Sequence, residues 1–158
     1  MSLKTYVPEG EQAPVSQIGA TMEALAATIA SRRESGEESY TYRLLTGDLD
    51  KPLKKLMEEA GEVALGAKDA DSALYFAREA KDLAPDSDLA KELSDEACAQ
   101  VDHLRYEAAD VVYHLLVVLE RFGVSIDEFA AELNNRMTDE ERPVGAVRLH
   151  DEFVKRSV

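Results

Sequence analysis

Residues 104–123, LRYEAADVVYHLLVVLERFG, have the length and spacing of a helix but no clear polar face. A helix that is apolar on nearly all sides belongs in the middle of a bundle, covered by other helices. Its end falls at Gly123, a residue type suited to a helix C-cap. Two acids, Glu107 and Asp110, interrupt it among Val111, Val112, Leu115, Leu116, Val117, Val118 and Leu119. Burying an unpaired carboxylate costs several kcal/mol or forces its protonation, so this pair implies compensation by a cation or by several donors.

The rest of the chain agrees with an all-α fold, a helical bundle of four to six helices. Glycine and proline are scarce, and alanine, leucine, glutamate and lysine dominate. The length suits one domain with a real core. Residues 1–16 carry two prolines and no helical period, and read as a flexible N-terminal tail. Ile18, Met22, Leu25 and Ile29 mark an amphipathic helix to about Arg33. A short polar connection follows, with room for one helical turn. Helix two begins at Asp50 as N-cap, with Pro52 in its first turn, and runs to about Lys68. Its spacing turns Leu53, Leu56, Met57, Ala60, Val63, Ala64 and Ala67 inward.

Two short helices are expected over 69–100, broken at Pro85, with Asp86 to Asp88 able to cap the second. Ser125 and Glu128 form a capping box that opens another long helix. The domain is thus bounded at 17–137, and 138–158 is a charged C-terminal extension.

On helix two, Glu58, Glu59 and Glu62 project from adjacent positions of one surface. Taken alone, that is an ordinary solvated acidic face. If helix two packs on the helix of Glu107 and Asp110, however, up to five acids converge. Two unit charges 4 Å apart repel by roughly 4 kcal/mol at an effective dielectric near 20, and a divalent cation reverses the sign. All-oxygen ligands point to Mg²⁺, with Mn²⁺ as the alternative. His103 and His114 invite a di-iron reading, but the Glu-x-x-His spacing on two helices is absent, and His114 reads as a packed or hydrogen-bonding side chain.

Lys51, Lys54 and Lys55 sit in the first turns of helix two, where the helix dipole disfavours positive charge. They are either solvated surface lysines or a phosphate contact, since a helix N-terminus with added ammoniums attracts phosphate. A basic helix start followed by an acidic metal face suits a polyphosphate held through a divalent ion, and metal-assisted phosphoanhydride hydrolysis is the matching reaction. No P-loop or other glycine-rich cradle is present.

A formal net charge of -14 argues against nucleic acid or anionic lipid as partners. Cys98 is the only cysteine, which excludes an intramolecular disulfide and a multi-cysteine zinc site. With no long apolar run, no membrane association is expected, and a cytoplasmic protein is.

MEALAATIASRRESGEESYTYRLL, KPLKKLMEEAGEVALGAKD and YEAADVVYHLLVVLERFGVSIDEFAAELNNR together resemble phosphoribosyl-ATP pyrophosphohydrolase, the second enzyme of histidine biosynthesis. That family lies within the all-α MazG-like nucleotide pyrophosphohydrolases, whose ExxE and ExxD motifs match Glu59-x-x-Glu62 and Glu107-x-x-Asp110. The resemblance implies Mg²⁺ bound by Glu59, Glu62, Glu107 and Asp110, with Glu58 ligating metal or positioning water. It also implies Lys51, Lys54 and Lys55 as candidates for phosphate contact, and a homodimer. The implied reaction cleaves phosphoribosyl-ATP to phosphoribosyl-AMP and pyrophosphate.

Compact members join the two motifs by a much shorter connection, so residues 69–100 look like an extended or inserted helical hairpin. The alternatives are a MazG-like (deoxy)nucleoside triphosphate pyrophosphohydrolase acting on another nucleotide polyphosphate, and a non-catalytic helical interaction protein.

Overall fold

Pro85 is the only proline between Pro52 and Pro143, and the structure is organised around it. The computed structural model describes residues 17–150, so the expected N-terminal tail and residues 151–158 lie outside the described part. Helix α1 spans Ile18–Ser31 and runs into a 3₁₀ turn, Arg32–Glu34; α2 spans Tyr40–Thr46, α3 Asp50–Leu83, α4 Asp88–Arg121 and α5 Ile126–Asn134. At 34 residues each, α3 and α4 are about 50 Å long by the usual rise per residue. They form one antiparallel hairpin, the main packing pair of the molecule. Ala84 leaves helical geometry at φ -152° just before Pro85, and Ser87, not an aspartate, caps α4 by accepting from the Ala90 N–H at 3.1 Å.

The expected end of helix two at Lys68 is therefore corrected. No breaker stands between Lys68 and Ala84, and the alanine-rich run continues the helix. The two short helices expected over 69–100 are the distal arms of α3 and α4.

The core lies at the other end of the hairpin. Ile29 of α1, Leu44 and Leu45 of α2, and Leu116 and Val117 of α4 form the buried cluster, with Met22, Leu25, Val112, Tyr113, Leu119 and Ile126 packed against it. α2 is a full seven-residue helix where one turn was expected. Its two leucines supply the burial, and Arg121 donates to the carbonyls of Leu44 (2.7 Å) and Gly47 (2.6 Å) at its end. Gly123 takes φ +70°, and the capping box of Ser125 and Glu128 is formed, but α5 is nine residues, not long. Asn134 donates to the Val147 carbonyl at 2.7 Å and ties down the segment that follows.

Two further expectations are corrected. Asp50 is not the cap of α3; Leu49 occupies that position without a side-chain bond, and the Asp48 carboxylate accepts from the Asp50 N–H. The inward face of α3 is formed by Pro52, Glu59, Gly66 and Ala70. Leu53, Met57, Ala60, Ala64 and Ala67 are exposed, and only Leu56 and Val63 are half-buried. Small residues win the α4-facing side because they let the helices approach closely: a Cβ added at Gly66 would stand 3.8 Å from the Leu104 Cα. α4 is likewise less enclosed than its composition suggests, with Tyr106 exposed and Val111, Leu115 and Val118 half-buried. No described helix is long and apolar enough to cross a membrane.

Candidate metal and phosphate site

Turning Glu59 toward α4 puts a carboxylate where sequence periodicity placed none. Glu59 is 5% exposed, and across the helix contact it meets Glu107, 6% exposed, and the half-buried Asp110. Each of the three offers one carboxylate oxygen, and these oxygens lie within 4.8 Å of one another. At that spacing each pair of charges repels by roughly 3 kcal/mol at an effective dielectric of 20. The two helices hold the acids together only because partners compensate for the repulsion.

The compensating charge is Lys55 of α3, and two histidines of α4 stand beside the acids. Lys55 Nζ stands 2.7 Å from Glu59 Oε1 and 3.4 Å from Glu58 Oε2. The Lys55 bond holds the Glu59 carboxyl below its ordinary range, against the opposing effect of burial. The same bond raises the Lys55 ammonium's pKa. His114 is 5% exposed, and its Nε2 lies 3.7 Å from the same Glu59 oxygen. Edge-on contacts with Tyr40 (centroids 6.3 Å) and Tyr113 (5.0 Å) fix its ring. Its Nδ1 is buried without a hydrogen-bond partner among the described residues. Burial is the leading reason its pKa is lowered. His103 Nδ1 lies 3.3 Å from Glu107 Oε1, one helical turn away.

The other expected site residues divide. Glu62 is exposed, yet partial desolvation, a hydrogen bond shared with Glu59 and the charge of Glu107 push its carboxyl up, so it borders the cluster. Glu58 lies at the open edge, its side chain 48% exposed, paired with Lys55 and outside the three-oxygen cluster. Lys54 lines a shallow groove with Asp50, Leu53, Met57 and Glu58. Lys51 is exposed, and neither it nor Lys54 makes a side-chain ion pair with a described residue. Of the three lysines only Lys55 reaches the acids.

Sequence reading missed the contacts of His114 and His103. The four-residue step from His103 to Glu107 was visible; that His114 faces Glu59 depends on how α3 and α4 rotate, which no local spacing encodes. Chemically, the cluster is a set of hard oxygen donors, mostly shielded from water, with an open edge. It can hold a metal ion.

Residues 22–137 match the family model of phosphoribosyl-ATP pyrophosphohydrolase. The chain is 35% identical over 127 residues to the histidine biosynthesis bifunctional protein HisIE of Deinococcus radiodurans, covering 80% of this chain and 45% of that protein. It is 36% identical over 104 residues to the phosphoribosyl-ATP pyrophosphatase of Methylobacterium nodulans, covering 66% of this chain and 70% of that one. With the phosphoribosyl-ATP pyrophosphatase of Limosilactobacillus fermentum it shares 33% identity over 116 residues, 73% of this chain and 82% of that one. It thus spans less than half of the bifunctional relative and most of the two shorter ones. No solved structure gives a significant match.

Proposed function

Since the chain belongs to the phosphoribosyl-ATP pyrophosphohydrolase family, we propose that it hydrolyses phosphoribosyl-ATP to phosphoribosyl-AMP and pyrophosphate, as a step of histidine biosynthesis. The observation that carries this reading is the meeting of Glu59 with Glu107 and Asp110 across two helices. Their all-oxygen donor set fits Mg²⁺, with Mn²⁺ as a substitute.

Glu59, Glu107 and Asp110 hold the ion, and Glu62, beside Glu59 and Glu107, adds a fourth carboxylate. The ion, when bound, supplies neutralising charge for phosphate oxygens and for the departing pyrophosphate. Lys51 and Lys54, exposed at the start of α3, and Lys55 attract the polyphosphate. Glu58, at the water-accessible edge, orients a water molecule toward the α-phosphorus and takes its proton. The new bond joins the water oxygen to that phosphorus, and the α–β phosphoanhydride breaks with its electron pair leaving on pyrophosphate.

A homodimer is part of the same proposal. Met57 and Leu65 are 76% and 67% exposed on α3, and Leu53 extends the row toward the start of the helix. A second copy covers such a surface. A cytoplasmic location belongs to the same proposal, and a lone cysteine, which can form no intramolecular disulfide, supports it.

The test is pyrophosphate release with Mg²⁺ from phosphoribosyl-ATP and, separately, from a panel of nucleoside and deoxynucleoside triphosphates. Preferential turnover of phosphoribosyl-ATP is expected. Preference for a triphosphate would favour the MazG-like housecleaning activity, and no turnover of any substrate would favour a non-catalytic helical protein.

A further inference from the structure

Three lysines open α3, and one of them behaves differently from the others. Lys51 and Lys54 point to solvent, whereas Lys55 turns in toward a carboxylate that is nearly out of contact with water. The pairing is a poor helix stabiliser. Lys55 precedes Glu59 by four residues, the weaker order for such pairs, and stands near the positive end of the helix dipole. Its consequence lies in the cluster instead. Glu59 Oε1, the oxygen it touches at 2.7 Å, belongs to the residue that shares the three-oxygen cluster with Glu107 and Asp110.

Resting on the metal reading above, we propose that Lys55 is a built-in counter-cation for the acid cluster, displaced from Glu59 when a divalent ion binds and thereby delivered to the phosphates of the substrate. An ammonium and a divalent ion cannot both sit against one carboxylate without strong mutual repulsion. The side chain also has somewhere to go. It is one-third exposed, and Glu58, at 3.4 Å and open to solvent, marks the outward route. The device keeps the cluster folded without metal and makes phosphate contact conditional on loading.

The experiment is Mn²⁺ titration by calorimetry on substrate-free protein, for the wild type, Lys55→Met, Lys54→Met and Lys55→Arg, with thermal melting in EDTA alongside. Lys55→Met is expected to bind Mn²⁺ at least 10-fold more tightly than wild type, while Lys54→Met stays within about 2-fold and Lys55→Arg stays near wild type. In EDTA, Lys55→Met melts lower than Lys54→Met, and saturating Mn²⁺ closes that gap. Equal affinity gains from Lys55→Met and Lys54→Met would reduce the effect to net charge and overturn the proposal, as would unchanged or weaker binding by Lys55→Met. Failure of every variant to bind Mn²⁺ overturns the proposal together with the metal site beneath it.

Discussion

His114 Nε2 of α4 lies 3.7 Å from Glu59 Oε1 of α3, and both side chains are almost wholly buried. The histidine is neutral by preference, because burial lowers its pKa from 6.5. A group whose folded pKa is depressed contributes stability that is fully present above its unfolded value and is lost as pH falls through the folded one. In EDTA, the melting temperature of the wild type relative to His114→Phe should therefore shrink as pH is lowered from 7.5 to 5. A widening gap would mean that an imidazolium–Glu59 pair dominates instead. With metal, loss of this supporting contact is expected to weaken Mn²⁺ binding by about 10-fold, the lower end of the usual effect of such partners.

Glu62 has the opposite sign. Its carboxyl is pushed above 4.5 by desolvation and by Glu59 and Glu107. A raised carboxyl favours the protonated fold, so its ionisation costs stability as pH rises through the folded value. Glu62→Gln is expected to melt higher than wild type at pH 7.5 in EDTA, with the advantage fading as pH falls through the raised folded value and gone by about pH 4.5. The same variant should lose most of its pyrophosphohydrolase activity. A lower melting temperature at pH 7.5 would show that Glu62 is not strained by its neighbours.

Gly66 tests whether helix spacing sets the site. A Cβ there meets only ordinary contacts, 3.8 Å from the Leu104 Cα and 4.0 Å from the His103 ring. Gly66→Ala should raise stability by up to about 1 kcal/mol through helix propensity. Gly66→Leu overpacks the seam at a cost of about 1–3 kcal/mol. It also pushes on the turn that carries His103 and Glu107, so Mn²⁺ affinity should fall with it. Urea melts and metal titrations on the two variants check both effects, and unaltered affinity in a destabilised Gly66→Leu would separate packing from the site.

Much of this architecture was legible because its signals are local. Pro85 stops α3, Gly123 takes positive φ, and Ser125 with Glu128 starts α5, each through one or two residues. Glu107 and Asp110 stood out because carboxylates in an apolar helix need compensation wherever they face. The orientation of α3 was not legible. Its Leu53–Met57–Ala60–Ala64 face is the more apolar one, and periodicity alone turns it inward. The structure turns in Glu59, Gly66 and Ala70, because small residues permit close approach and because Lys55 compensates the acid while His114 of the facing helix packs beside it. α2 was underestimated for a related reason. Seven residues do not make a stable helix alone, and this one depends on burying Leu44 and Leu45 and on the bonds from Arg121.

The central claim is that Glu59, Glu107 and Asp110 together hold the ion on which hydrolysis depends, and one assay addresses it most directly: initial rates of pyrophosphate release from phosphoribosyl-ATP by wild type and Asp110→Asn, each over a Mg²⁺ titration. Activity that rises with Mg²⁺, is abolished by EDTA and falls at least about 100-fold in a folded Asp110→Asn, beyond the loss typical of an outer contact, is the expected result. Full activity in EDTA, or an Asp110→Asn variant with the wild-type rate and Mg²⁺ dependence, would contradict it.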